Sequence, residues 1–255
     1  MNTDLRERVR RAVRLGAVAL ATTSCSSSFG MPRGSSRQGA DTFNLWQIFF
    51  WAAIGVATIV YVLLGWSLLR YRKRKRDDDE ALGRQFHANI PLEVVYTAIP
   101  VMIVVALFAA SIRTDDRVSA LSPDPDVTMR VEAYQWGWRF SFPDEDAVVL
   151  SSPSGEGVRG PEVLLPLGET TRIELTSNDV IHAFWVRDFL FKRDAIPGRV
   201  NPFDVTPTQL GSYHGVCSEF CGLNHAYMTF TLTVVTPEAF EDWVAGLRAS
   251  AEAGA

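Results

Sequence analysis

A two-helix membrane hairpin followed by an all-β sandwich is the architecture that this 255-residue sequence predicts, on three observations. Residues 45–69 and about 90–112 are apolar and long enough to cross a bilayer core, which takes about 20 residues of helix. From residue 113 the pattern changes to short alternating runs between Pro/Gly turns, as in a β-sandwich. Charge divides at the same place: residues 1–112 carry 14 Arg/Lys against 8 Asp/Glu, and residues 113–255 carry 11 against 21. A basic first half and an acidic remainder suggest two compartments and a basic partner for the second.

Residues 1–25 read as a signal peptide. Arg6, Arg8, Arg10, Arg11 and Arg14 form a basic region, residues 15–21 an apolar run too short to span, and small residues then precede Cys25. Cys25 suits the lipidated N-terminus of a bacterial lipoprotein, although Thr22 stands where an aliphatic residue is usual. Ordinary cleavage nearby is the alternative, and both readings remain open. Residues 26–41, rich in Ser, Gly and Arg, are expected to form a linker. The hairpin then occupies 42–112.

Its first span, 45–69, holds no charged residue, and Trp46, Trp51, Tyr61 and Trp66 include candidates for the interfacial belts. The basic run R-Y-R-K-R-K-R at 70–76 follows directly and places that end in the cytoplasm. A nucleic-acid patch is the rival reading, which the adjoining span argues against. After a polar loop over 77–89, Pro91 suits the first turn of the second helix and Pro100 kinks it. Both outer ends of the hairpin then face the cell exterior. Residues 127–132, 171–175 and 229–235 alternate as strands, and 163–167 is a further short apolar run. The 113–236 region is large enough to bury its own core. Past Pro237, residues 238–251 predict a terminal helix within a 237–255 tail.

The chemistry concentrates in C-S-E-F-C-G-L-N-H-A-Y-M over residues 217–228, with D-V-I-H at 179–182 upstream, in a chain of four histidines and three cysteines. Thiolate and thioether favour Cu(I), and imidazole also suits copper. Zinc would take Cys217, Cys221 and the imidazoles but has little use for Met228. A disulfide would leave His182, His225 and Met228 unexplained. One blue copper takes a single Cys, two His and a weak Met, so this set is too rich for it. Two bridging thiolates can instead hold two coppers, each with one His and one weak outer ligand. His182 alone is as well explained as a satisfied core histidine; His225, four residues from one Cys and three from Met228, is not. His87 and His214 lack any motif and read as surface residues.

The 217–228 loop resembles the copper loop of subunit II of haem–copper cytochrome c oxidases. Y-Q-W-G-W at 134–138, D-V-I-H at 179–182, K-R-D-A-I-P-G at 192–198 and E-V-V-Y-T-A-I-P at 93–100 resemble the same family. The resemblance spans roughly residues 40–236. It implies a cupredoxin-like barrel for the β domain and a binuclear CuA centre. His182 and His225 would each ligate one copper, Cys217 and Cys221 would bridge, Met228 would be the weak ligand, and the Glu219 backbone carbonyl would complete the set. The Glu219 side chain would ligate magnesium or manganese at the boundary with subunit I; a solvated loop carboxylate is the plain alternative.

Trp136 would be the point where electrons arrive, with Tyr134 and Trp138 partly core-packing; Gly137 stands where the family often has Tyr. Position leaves Glu93 open between a helix-end carboxylate and an intramembrane functional group. The resemblance implies the mouth of a proton pathway shared with subunit I. This chain has Tyr96 where many members have Trp.

The implied activity is that of a bacterial terminal oxidase subunit in the plasma membrane, its copper domain exterior. It would take electrons from a cytochrome c-type donor and pass them to haem in subunit I, where oxygen reduction and proton pumping occur. Other oxidase subunits are expected partners and nucleic acid is not. No C-x-x-C-H run occurs, so no c-type haem is expected on this chain. Quinol-oxidising relatives lack the copper ligands, which are all present. A nitrous-oxide reductase would bring many more than four histidines. A free-standing membrane-tethered cupredoxin or copper carrier is the alternative reading.

Overall fold

The computed structural model describes residues 30–72, 87–143, 148–153 and 160–253. The expected signal segment with Cys25, and most of the polar loop between the apolar stretches, lie outside the described residues. Two helices, α1 (Arg37–Arg70) and α2 (Ile90–Ser119), pack against each other. Both are long and apolar enough to cross a membrane, and their apolar windows are exposed rather than buried. α1 has 34 residues, about 51 Å of helix at ~1.5 Å per residue, against a hydrocarbon core of ~30 Å.

The surplus length corrects two expected boundaries. Residues 37–41, placed in a linker, are the first turns of α1. Ser36 is the N-cap, and its hydroxyl accepts from the Gly39 N–H at 3.0 Å. The preceding segment is docked on the β domain. Ser35 N–H donates to the Asp188 carbonyl at 2.7 Å, Arg37 N–H to that of Thr206 at 2.9 Å, and Thr208 N–H to that of Ser35 at 2.9 Å. Gly39 allows the approach: a Cβ there would lie 2.6 Å from the Phe189 carbonyl oxygen. Likewise α2 runs past Ile112 to Ser119, with Arg117 3.8 Å from Asp41 of α1. Apolar periodicity stops at 112, but helical hydrogen bonding does not depend on it. Pro100 lies inside α2, and Asn89 caps it by accepting from the Leu92 N–H at 3.3 Å.

Among the described residues the β domain is two five-stranded sheets. The first has the order β3-β2-β1-β5-β8, from β1 (Val127–Tyr134), β2 (Gly137–Phe142), β3 (Val148–Pro153), β5 (Thr171–Ser177) and β8 (Asn201–Val205). The second has the order β4-β10-β9-β6-β7, from β4 (Glu162–Pro166), β6 (His182–Val186), β7 (Phe191–Ala195), β9 (Gly211–Cys217) and β10 (Thr229–Val235). β1 pairs β5 and β4 pairs β10 in parallel. Strict alternation puts Ile173 and Leu175 of β5, and Phe230, Leu232 and Val234 of β10, into one core. Trp138 stands edge-on to Phe184 and Phe230, which stack at 4.6 Å between ring centres, joining the sheets. The terminal helix α3 (Pro237–Ala253) sets Phe240 and Trp243 against Phe142.

A buried ion pair ties the exit of α2 to the first sheet. Asp204 accepts from the Arg172 guanidinium and from the Ser122 N–H, while Arg172 Nη2 also donates to the Ser122 carbonyl at 2.6 Å. The side chains are 3% and 18% exposed, so removing one partner strands the other in low dielectric. Asp204→Ala is predicted to destabilise the domain by about 3 kcal/mol in urea unfolding of the detergent-solubilised protein. A loss under about 1 kcal/mol would show the pair to be an ordinary surface bridge.

Candidate metal centre

The centre is assembled by three adjacent strands of the second sheet. β6 begins with His182, β9 ends with Cys217, and β10 begins just after Met228. Antiparallel pairing of β6 with β9 sets Phe184 opposite Cys217, and β7 backs the histidine with Ala195 opposite His182. The 192–198 motif thus supplies the strand behind a candidate ligand. Cys217 N–H donates to the Met228 carbonyl at 2.9 Å and Ser218 N–H to the Ala183 carbonyl at 3.0 Å. Between them the loop carries Cys221, turns at Gly222 with φ +114°, and ends in a 3-10 turn at His225–Tyr227.

The donors converge in pairs. The sulfurs of Cys217 and Cys221 are 3.8 Å apart, and both thiols are free. Cys217 Sγ lies 3.8 Å from His182 Nδ1 and 3.3 Å from the Glu219 carbonyl oxygen. Cys221 Sγ lies 3.5 Å from His225 Nδ1 and 3.9 Å from Met228 Sδ. His182 and Met228 are fully buried, the two cysteines nearly so, and His225 half-buried. Two thiols, two imidazole nitrogens, a thioether and a carbonyl around one small space are a soft donor set, and they fit copper. The ligand atoms of His182, Cys217 and Cys221 all lie within 4.8 Å of one another.

Titration at the site is uneven. Burial pushes the Cys217 thiol up, but hydrogen bonds with His182 and the Ala183 and Glu219 backbone outweigh it and bring it to about 7. Burial, followed by the charge on Cys217, pushes Cys221 up to about 12. Burial lowers the His182 pKa, but hydrogen bonds to Cys217 and then Asp179 outweigh it, so the net shift is upward.

The electron-accepting candidate sits against this loop. Trp136 and Gln135 form the tip of the β1–β2 hairpin, where Tyr134 faces Gly137. The indole Nε1–H of Trp136 and the side-chain amide of Gln135 both donate to the Cys221 carbonyl, at 3.0 and 2.8 Å. Gly222 makes room: a Cβ there would meet the indole at 3.0 Å. Trp138 is buried and its indole N–H reaches the Met228 carbonyl at 3.4 Å. The Glu219 side chain, His214 and His87 are exposed. Glu93 is remote, in the first turn of α2, and Oε1 accepts from the Asn89 N–H at 3.1 Å.

Asp179 and Gln135 lie within the 179–182 and 134–138 motifs, whose sequence assigns them no role. Asp179 Oδ1 lies 2.8 Å from His182 Nε2, and its other oxygen accepts the Gln135 N–H at 2.5 Å. The signal was present as an acidic residue three before a candidate ligand.

A membrane-anchored sandwich with this donor set at one end defines a cupredoxin-like electron-transfer protein. Two family models match: cytochrome c oxidase subunit II, transmembrane domain, over residues 24–114, and the periplasmic domain of the same subunit over 158–235. The probable cytochrome c oxidase subunit 2 of Streptomyces avermitilis is 32% identical, with 98% of this chain and 90% of the relative covered. Cytochrome c oxidase subunit 2 of Mycobacterium bovis is 31% identical, with 91% and 80% covered. The crystal structure of the periplasmic domain of cytochrome oxidase subunit II of Bradyrhizobium japonicum is 32% identical, covers 51% of this chain and 99% of its own, and has a TM-score of 0.48. The chain belongs to the cytochrome c oxidase subunit II family, part of an oxidoreductase complex. The free-standing carrier gives way to this assignment, and family membership implies copper.

Copper needs deprotonated thiols, so uptake displaces protons in numbers that these shifts fix. Above about pH 7 Cys217 has already ionised and Cys221, with its pKa near 12, gives up the one proton. Below about pH 7 Cys217 adds a second, and His182, whose pKa is shifted upward, must also be neutral to ligate. Affinity is therefore predicted to fall as pH falls, by about tenfold per unit above neutrality, where one proton is displaced, and more steeply below it. Copper titration against a competing chelator at several pH values measures this. A pH-independent affinity would contradict it.

Proposed function

We propose that Cys217, Cys221, His182, His225, Met228 and the Glu219 carbonyl hold a binuclear CuA centre. Through it this subunit accepts electrons one at a time from a cytochrome c-type donor and passes them to haem in subunit I, the seat of oxygen reduction and proton pumping. The observation that carries the reading is the pairing of donors. Each sulfur has its own imidazole nitrogen within 3.8 Å and its own weak donor, the Glu219 carbonyl or the Met228 thioether. A mononuclear site has no use for a second thiolate so placed. Bound there, the copper pair supplies a one-electron couple shared over both metals.

The chain's own residues prepare the site for that task. Buried His182, Met228 and Trp138 exclude water from its inner side. The two backbone hydrogen bonds at Cys217 and Ser218 hold the donors in place whatever the charge, which limits reorganisation. Trp136 is the assigned point of electron arrival, since its indole is hydrogen-bonded to the Cys221 carbonyl. Around the loop Val180, Ile181, Phe220, Leu223 and Tyr227 are exposed, Phe220 and Leu223 at 79% and 85%. Apolar side chains so exposed beside a buried site suit burial by partner proteins. The acidic balance of residues 113–255 suits steering of a basic donor.

Magnesium or manganese on the Glu219 side chain at the subunit I boundary belongs to the same reading. So does a proton-path role for Glu93, whose carboxylate borders an open apolar groove lined by Val94, Thr97 and Val101. The anchor would be two-pass in a bacterial plasma membrane. Residues 70–76 would be cytoplasmic and the copper domain on the periplasmic face, with Cys25 available for a lipid.

Copper-loaded, detergent-solubilised protein is expected to hold two coppers and, when oxidised, to give a delocalised mixed-valence signal in electron paramagnetic resonance. Cys217→Ser or Cys221→Ser abolishes that signal. Met228→Leu keeps both coppers and shifts the reduction potential. One copper with a localised signal would exclude the binuclear assignment.

A further inference from the structure

We propose that Asp179 is a positioning residue that holds the ligand His182 and the electron-accepting turn at Gln135–Trp136 with its two carboxylate oxygens, one for each. The inference rests on the binuclear reading above and deepens it.

The carboxylate is fully engaged although its side chain is 30% exposed. Oδ1 lies 2.8 Å from His182 Nε2 and accepts the Val180 N–H at 2.6 Å. Oδ2 accepts the Gln135 N–H at 2.5 Å, across 44 residues of sequence. Ser177 fixes the backbone beneath it: its hydroxyl donates to the Val180 carbonyl and accepts the Asp179 N–H at 3.2 Å. The side chain therefore has its direction set from several sides.

The consequence for His182 is chemical. An ionised carboxylate only accepts, so the ring must donate from Nε2. A neutral imidazole carries one N–H, which leaves its lone pair on Nδ1, the nitrogen facing Cys217 Sγ at 3.8 Å. Asp179 thus selects the tautomer that can bind metal and makes that nitrogen more basic. His225 has a different surround: its ring stands edge-on to Phe220, at 5.7 Å between centres. The two imidazoles of a near-symmetric donor set are thereby made unequal.

The consequence for the turn is geometric. Gln135 N–H on Asp179 fixes the hairpin tip at the position where Trp136 and Gln135 both reach the Cys221 carbonyl. One carboxylate thus links the residue that takes up electrons to a copper ligand. Asparagine is nearly isosteric but has one accepting oxygen where aspartate has two. It can serve His182 or Gln135, and in either case its NH2 group faces an N–H donor.

Asp179→Asn in the full-length, detergent-solubilised protein is therefore expected to lower copper affinity by ~10- to 100-fold. It should also move the reduction potential of the centre upwards, because the oxidised state loses a more basic ligand, and change the histidine hyperfine couplings. The same variant in the metal-free protein should weaken the preference of His182 for the Nε2–H tautomer, seen by nitrogen-15 NMR of labelled histidine, since a neutral amide oxygen holds that N–H less firmly than a carboxylate. Should Asp179→Asn not fold, the wild-type metal-free tautomer still decides: Nε2–H supports the proposal and Nδ1–H overturns it. An unchanged potential and spectrum, with only a weaker, salt-dependent interaction with a basic donor, would make Asp179 a surface charge and overturn it as well. Wild-type protein that takes up no copper pair would overturn the binuclear reading instead, independently of any Asp179 result.

Discussion

Two backbone hydrogen bonds support the copper end of this molecule: Cys217 N–H to the Met228 carbonyl and Ser218 N–H to the Ala183 carbonyl. The first closes the loop that carries Cys221 and His225 at the point where β9 hands over to β10. The second ties the start of that loop to the strand that begins with His182. Loop closure is an entropic cost met by sheet pairing on both sides. With it met, the donor side chains converge from the ends of adjacent strands and one short loop. The same pairings bury Trp138 and Phe230 beneath the site, so the core that stabilises the sandwich is also the floor of the metal centre.

Electrostatics then decides what the closed loop can hold. Two sulfurs at 3.8 Å in a buried setting do not both ionise without a compensating positive charge. The site divides the burden: Cys217 is eased towards ionisation by its hydrogen bonds, and Cys221 is held protonated by burial and by its neighbour. Cationic metal relieves that conflict by compensating the negative charge of the paired thiolates. Anchoring follows the same economy. Docking of Ser35, Ser36 and Arg37 on the β domain, and the Ser122–Arg172–Asp204 contact after α2, fix both helices to the domain that carries the donors.

Much of this was legible in the sequence, for definable reasons. Period-two burial in β5 and β10 showed as alternation, and Cys217, Cys221, His225 and Met228 showed as candidate ligands in one short motif, with His182 in a separate motif upstream. The helix ends were not legible, because hydropathy reports where apolar side chains stop and not where the helix stops. Arg37 to Asp41 and Arg113 to Ser119 are helical although mostly polar, held by a cap and by contacts with distant residues. Asp179 was visible but mute: its partner His182 is local, whereas Gln135 lies 44 residues away, joined to it only by the fold. The hydrogen bonds from Gln135 and Trp136 to the Cys221 carbonyl span 86 and 85 residues and leave no local pattern at all.

The central claim is that sheet pairing forms the donor set before any metal arrives. Crystal structures of the same protein free of copper and loaded with it test this most directly. The account predicts that the metal-free form keeps the hydrogen bonds at Cys217 and Ser218, with both sulfurs and both imidazole Nδ1 atoms directed into one space. A metal-free form in which residues 217–228 are rearranged or lack order would contradict it, since the loop would then owe its shape to the metal.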